Sequence, residues 1–206
     1  MDTARIEGLL RPFVTGLSAA QLNNISTYID ILLRWNERIN LTAVRVPDEI
    51  VTRHWGESLF VAQHLLAGGE ALAVADIGSG AGFPGLALAL YAPAARVTLI
   101  EAQQRKATFL KEAARALRLT NVDIFSGRAE DYPEQSDLVT LRAVEKLAGV
   151  LPVAAEPVRS RGRLALLLGE AQLAAARKLS GFAWADPIAI PQSRARVLLV
   201  GTKPKS

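Results

Sequence analysis

The stretch Leu72-Ala73-Val74-Ala75-Asp76-Ile77-Gly78-Ser79-Gly80-Ala81-Gly82-Phe83-Pro84-Gly85 joins a short apolar run to an acid and then to four glycines. It reads as a buried strand, a tight loop and the start of a helix. Glycines accept φ > 0 and leave main-chain N–H groups uncovered, so a ligand can lie directly against such a loop. A nucleotide is the default occupant; a glycine-rich turn with no ligand is the competing reading. Pro84 suits the first helical position, and Leu86 to Tyr91 continues as helix. The spacing narrows the nucleotide. A dinucleotide fingerprint needs glycine at the sixth position, where Phe83 stands, and a phosphate-cradling loop needs Gly-Lys-Ser/Thr, but no Lys occurs between Gly78 and Gly85.

The other chemically suggestive residues follow three later strands. Glu101, 23 residues after Gly78, ends the run Arg96 to Ile100 and precedes Ala102. A carboxylate there can accept hydrogen bonds from both hydroxyls of a ribose, though a surface acid would look the same. Arg128-Ala129-Glu130-Asp131 follows a third strand, Val122 to Gly127. There the Ala129 main chain is a candidate contact, with Glu130 and Asp131 alternatively solvated turn acids. Arg142 closes a fourth strand, Asp137 to Leu141. A guanidinium half-buried there needs an acceptor: a ligand carboxylate, an RNA phosphate, or a salt bridge to Asp76 or Glu145.

The elements that must position these residues are legible from periodicity. Residues 1–66 read as helical. Ser18 to Gln21 resembles a capping box, Leu22, Ile25, Ile29, Leu32 and Leu33 recur at helical spacing, and another helix starts after Pro47. Trp35 and Trp55 are core residues or an aromatic surface for RNA. After Gly68-Gly69 the pattern alternates: strands end at Ile77, Glu101, Gly127, Arg142 and Leu168, with helices over 103–119, 145–157 and 170–179 between or after them. A final antiparallel pair covers 182–190 and 194–202. Such alternation predicts a mostly parallel, seven-stranded α/β sheet with helices on both faces and an N-terminal helical extension, as two regions, 1–66 and 67–206. Ligands in such sheets bind beyond the carboxyl ends of the strands, where Gly78, Glu101, the loop after Gly127 and Arg142 fall.

Half of the 206 residues are apolar and 21% are charged, enough to bury a core. There is no cysteine, which excludes disulfides, thiolate metal sites and Cys nucleophiles. No signal segment or spanning apolar run is evident, so the expectation is a cytoplasmic monomer with no membrane partner and no metal. Net charge is +4, and Arg outnumbers Lys, which makes nucleic acid a plausible partner.

Asp76 followed by Gly-x-Gly-x-Gly is the pattern that Rossmann-like S-adenosylmethionine-dependent methyltransferases carry after their first strand. Taken with Leu33-x-Trp35-Asn36-x-x-Ile39-Asn40-Leu41-Thr42, Arg53-His54-x-x-x-Ser58-Leu59 and Arg142-Ala143, it makes nearly the whole chain resemble the RsmG family, also called the glucose-inhibited division protein B family. The resemblance implies a Rossmann-like fold, S-adenosyl-L-methionine as cofactor, and methylation of N7 of one guanine, conventionally numbered 527, in bacterial 16S rRNA or the small ribosomal subunit. It implies a donor site at Gly78, Gly80, Phe83, Glu101, Ala102, Ala129, Glu130 and Arg142, with Arg142 as the catalytic residue. Arg34, Arg38, Asn40, Arg53 and His54 are the expected RNA-binding residues of the helical cap. Guanine N7 has an in-plane lone pair and no proton to lose, so its methylation needs alignment rather than a general base. A nicotinamide oxidoreductase and a non-catalytic RNA-binding protein are the alternatives. Phe83 argues against the first, and the intact loop with Glu101 against the second.

Overall fold

The computed structural model describes residues 1–142 and 147–205. Helices α1 (Thr3–Leu10) and α2 (Ala19–Asn36) come first, then a continuous helical segment: α3 (Pro47–Glu49), a π-helical turn (Ile50–Gly56) and α4 (Glu57–Leu66). The alternating part runs β1 (Ala73–Ile77), α5 (Gly85–Tyr91), β2 (Arg96–Ile100), α6 (Gln104–Ala116), β3 (Val122–Phe125), β4 (Ser136–Arg142), α7 (Leu147–Ala155) and β5 (Val158–Gly169). The chain closes with α8 (Leu173–Ala176), β6 (Ala183–Trp184), β7 (Ile188–Ala189) and β8 (Arg196–Thr202).

The sheet has the order β3-β2-β1-β4-β5-β8-β6, with β7 also paired to β8. β1 to β5 are parallel, and β8 is antiparallel to β5, β6 and β7. The order reverses at β1, so the crevice between β1 and β4 is the expected ligand position. The expected sixth strand over 182–190 is two short ones, giving eight strands among the described residues. Pro187, which cannot donate to a ladder, lies between them.

Strand periodicity divides the core in two. Val74, Leu138, Leu167 and Leu198 join a cluster with side chains of α1, α2, α4, α5 and α6; Ala75, Val139, Leu166 and Leu199 join another with α7 and α8. Alternate residues of one strand therefore feed opposite faces. The N-terminal helices share their apolar cluster with α5 and α6.

Local chemistry accounts for the helix boundaries. The Ser18 side chain accepts from the Gln21 N–H and the Gln21 amide accepts from the Ser18 N–H, so α2 begins at a reciprocal capping box. Leu22, Ile25, Ile29 and Leu32 then form its buried stripe. Pro84, expected as the first residue of α5, sits one position outside it, after a cis Phe83–Pro84 bond. The helix after Pro47 carries a π-turn that its periodicity did not announce; it buries Trp55 while leaving Arg53 and His54 toward a cavity. Inserted π-turns of this kind are frequent at functional sites. Glu145, the expected start of α7, lies outside the described residues. Among the described residues no helix is long and apolar enough to cross a membrane.

Tyr28 of α2 is fully buried, edge-on to Trp55, Phe83 and Phe109, and its hydroxyl donates to the Ala81 carbonyl of the glycine loop. Tyr28→Phe keeps the packing and removes that donor. It is expected to cost about 1–2 kcal/mol in urea unfolding, the usual toll of a buried carbonyl left unbonded. Ligand affinity of the loop should fall in parallel.

Candidate active site

The glycine loop is shaped from outside itself. Gly78 and Gly80 have φ of +66° and +55°, conformations that other L residues avoid. The Gly80 N–H donates to Glu101 Oε2 at 3.0 Å, and the Ser79 N–H to the Ile100 carbonyl at 3.1 Å, so the loop is fastened to the end of β2. Glu101 Oε1 accepts from the Gln103 N–H at 2.8 Å. A carboxylate has about four lone-pair positions, and these bonds leave the others for a ligand's hydroxyls.

Asp76 holds the far end. Its Oδ1 accepts from the Thr140 hydroxyl at 2.8 Å and its Oδ2 from the Gly85 N–H at 3.2 Å. It is fully buried with no directly bonded cation, and burial pushes its carboxyl up to about 6, against the lowering effect of these hydrogen bonds. Asp76 is therefore a brace between β1, β4 and α5.

Among the described residues Arg142 bonds neither Asp76 nor another strand-end acid, and its acidic partner there is Glu57, which sequence reasoning did not select; Glu145, the other acid weighed, lies outside the described residues. Nη2 bonds Glu57 Oε2 at 2.9 Å and the Arg53 carbonyl at 2.5 Å, and Nη1 bonds Ser58 Oγ at 3.2 Å. Arg196 bonds the other Glu57 oxygen at 2.8 Å. Three of the five N–H donors of Arg142 are thus engaged among the described residues. The only signal for Glu57 was an acid in an otherwise apolar helical stretch. Burial lowers the Arg142 pKa and raises that of Glu57, and the arginines around Glu57 oppose the rise.

A cavity of about 390 Å³ is lined by Gly78, Gly80, Phe83, Arg53, His54 and Arg142, together with residues 41–44 and Arg196. His54 stacks on Phe83 with centroids 5.2 Å apart and an interplanar angle of 20°, and its Nε2 is 2.8 Å from Thr42 Oγ1. Burial, with Arg142, Arg53 and Arg196 adding repulsion, drives the His54 pKa down to about 3, so its ring is neutral at physiological pH. Glu101 joins this cavity through Gly80. Ala102 and Glu130 are exposed beyond β2 and β3 and outside its wall; Glu130 pairs with Arg128 at 3.0 Å, and Ala129, like Phe125 and Tyr132, packs against the core cluster that holds α7 and α8. Arg34 and Arg38 are exposed at the end of α2 and do not line it; Asn40 lines an adjoining hollow. Trp55 is in the core and Trp35 packs against Phe109. A larger cavity of about 760 Å³ lies between α2 and the C-terminal ends of α5 and α6, away from these residues.

A ligand fit can be tested on the glycines themselves. A Cβ at Gly78 would meet no atom within 4 Å, and one at Gly80 only the Gly78 carbonyl at 3.7 Å. Both would project into space that the protein leaves empty. A Cβ at Gly85 would come within 2.1 Å of Leu99 Cδ2 and 2.8 Å of Asp76 Oδ2. Gly85 is thus required by packing, whereas Gly78 and Gly80 leave a cradle that a nucleoside fits.

Two stability changes follow. An acid whose folded pKa is about 6 rather than its ordinary 3.8 favours the fold when protonated, and that advantage is lost as pH rises through 6. Asp76→Asn, whose amide can donate to Thr140 Oγ1 and accept from Gly85, is expected to gain on the wild type by roughly 2 kcal/mol between pH 4 and 7. Urea titrations at both pH values measure this. Glu57→Ala strands two guanidiniums, and a loss of about 3–5 kcal/mol is expected in the same assay.

A family profile described as rRNA small subunit methyltransferase G (GidB) matches residues 21–184. The chain is 41% identical over 155 residues to a ribosomal RNA small subunit methyltransferase G from Xanthomonas euvesicatoria, covering 74% of this chain and 71% of the relative. It is 41% identical to one from Stenotrophomonas maltophilia, covering 75% and 72%. Among solved structures, a ribosomal protein L11 methylase from Lactobacillus delbrueckii superposes with a TM-score of 0.62 at 16% identity, covering 73% of this chain and 79% of that one. A SAM-dependent methyltransferase from Aquifex aeolicus gives 0.58 at 15%, covering 71% and 91%. At those identities the likeness shows the fold, which is that of the Rossmann-like methyltransferases. With the profile and relatives over most of its length, the chain belongs to the rRNA small subunit methyltransferase G family.

Proposed function

We propose that the chain methylates N7 of a guanine in 16S rRNA, the guanine conventionally numbered 527, using S-adenosyl-L-methionine. The observation that carries this reading is the empty space beside Gly78 and Gly80, walled by Phe83 and Arg142 and fastened to Glu101. When bound, the cofactor supplies an electrophilic methyl group on sulfur. The chain's own part is binding and alignment. Glu101 offers its free lone pairs to the ribose, and Gly78 and Gly80 offer bare main chain. Ala102, the Ala129 main chain and Glu130 border the base beyond β2 and β3.

Arg142 is the proposed catalytic residue. Its bonds to Glu57, Ser58 and the Arg53 carbonyl fix the guanidinium at the cavity wall, and its two remaining donors can orient a carboxylate or the guanine O6. Because N7 carries no proton, no base is needed, and the neutral His54 ring stacked on Phe83 serves as a wall for the guanine. Arg53, Arg142 and Arg196 around the cavity favour an RNA phosphate and disfavour retention of a cationic N7-methylguanine. Arg34, Arg38 and Asn40 extend the RNA-facing surface of the 1–66 region, which we take as a helical cap on a 67–206 methyltransferase unit. The chain works as a cytoplasmic monomer.

Incubation with 16S rRNA and with assembled small subunits, followed by borohydride and aniline cleavage at N7-methylguanine, tests the reaction; one new cleavage at the target guanine is expected. Substitution separates ligand glycines from packing glycines. Gly78→Leu should keep most of its stability, losing about 1–2 kcal/mol to backbone strain, while calorimetric titration shows no donor binding. Gly85→Ala should lose more than about 2 kcal/mol through its clash with Leu99. Normal donor affinity in Gly78→Leu would refute the pocket.

A further inference from the structure

The central cavity has a neighbour on each side. A hollow of about 450 Å³ lined by Asn40, Leu41, Thr42, Ala43 and Arg45 shares Leu41, Thr42 and Ala43 with it. Another, of about 180 Å³, lies under the turn between β7 and β8; Gln192 and Arg194 border it, and it shares Arg53 and Arg196 with the central cavity. The three are adjacent compartments separated by shared side chains.

Both partitions are rigidly built. Buried Asn36 accepts from the Leu41 and Thr42 N–H groups at 2.9 and 3.1 Å and donates to the Thr42 carbonyl at 2.9 Å, while Thr42 also meets His54. On the other side Ser193 Oγ accepts from the Arg196 N–H at 3.1 Å, and Gln192 takes a left-handed φ of 57°. These bonds fix the turn and leave Arg194 exposed.

Charge along the three compartments has one sign. Arg45, Arg53, Arg142, Arg194 and Arg196 line them; the acidic wall residue, Glu57, is bonded to both Arg142 and Arg196. Arg45 and Arg194, at the two ends, have no acidic partner among the described residues. Arginines are the side chains suited to forked contacts with phosphate. A duplex would keep its bases stacked inside, out of reach of a recessed cleft, whereas a single strand can lay one base in the middle and its backbone along both sides.

We propose that the three compartments form one trough for a single-stranded stretch of RNA. The nucleotide being methylated lies in the centre, the flanking backbone on one side meets Arg45, and on the other it meets Arg194 in the β7–β8 turn. The inference rests on the methyltransferase reading and extends the RNA surface beyond the cap and the central cavity to Arg194 in the β7–β8 turn.

The test uses the full chain and a single-stranded oligoribonucleotide spanning the target guanine. Arg45→Ala and Arg194→Ala, singly and together, are compared with Lys111→Ala/Arg115→Ala on the exposed face of α6. The double variant is expected to bind RNA roughly 10-fold or more weakly at 0.1 M salt. Its slope of log K against log salt should be shallower by about 0.7 per arginine, with the KM for RNA rising in step and S-adenosylmethionine affinity unaltered. An unchanged slope, a loss confined to one of the two single variants, or an equal loss in the α6 variant overturns the trough. In each of those cases a wild type that still methylates 16S rRNA leaves the proposed reaction standing. A wild type that binds the donor but transfers nothing to RNA overturns the reaction itself.

Discussion

A loop that offers its main chain to a ligand cannot use its own side chains to keep its shape. Between Ile77 and Gly85 the backbone is therefore held by groups around it. Asp76 takes the Gly85 N–H, Glu101 takes the Gly80 N–H, and Tyr28 reaches across from α2 to the Ala81 carbonyl; the loop's one contribution of its own is the Ser79 hydroxyl, which turns inward to the Asp76 carbonyl. Each partner is itself buried. The rest of the site inherits its position from these bonds. Glu101 is the clearest case, because the carboxylate that shapes the loop also presents the lone pairs proposed for the ribose; ligand contact and loop geometry are set by one side chain.

Electrostatics supplies the second constraint. Glu57 and Arg142 are both taken out of water, which costs each of them solvation, and the geometry recovers it through charge-assisted bonds to both carboxylate oxygens. The arrangement leaves the cavity wall with an excess of guanidinium, and that excess together with burial keeps His54 uncharged. A neutral ring beside Phe83 can stack on a base, and the arginines can hold phosphate, so the two tasks fall to different residues.

Much of this was legible in the sequence because it follows from local periodicity. The buried stripe of α2, its capping box, and the alternation of strands with helices after Gly69 all depend on neighbours within a few residues. The strand-end placement of Gly78, Glu101 and Arg142 was legible too, since parallel sheets gather carboxyl ends along one edge. What escaped depends on contacts between distant segments. Arg142 meets Glu57 across 85 positions and Tyr28 meets Ala81 across 53, and no spacing rule announces either. The π-turn at Ile50–Gly56 and the division of the strand at Pro187 are departures from regularity that a periodic reading smooths over.

Helix α2 joins the two halves of the proposed chemistry. Tyr28 on this helix secures the glycine loop, and Asn36, eight residues on and thus about 12 Å further along the axis, secures residues 41 and 42 of the cavity wall. The first contact governs where a nucleoside cofactor can lie and the second where a substrate base can enter. Since α2 packs in one apolar cluster with α5 and α6, it cannot shift relative to the sheet without opening that core. The distance between donor loop and substrate wall is thereby fixed by a single rigid element, which is the condition that alignment-driven transfer to an already nucleophilic nitrogen requires.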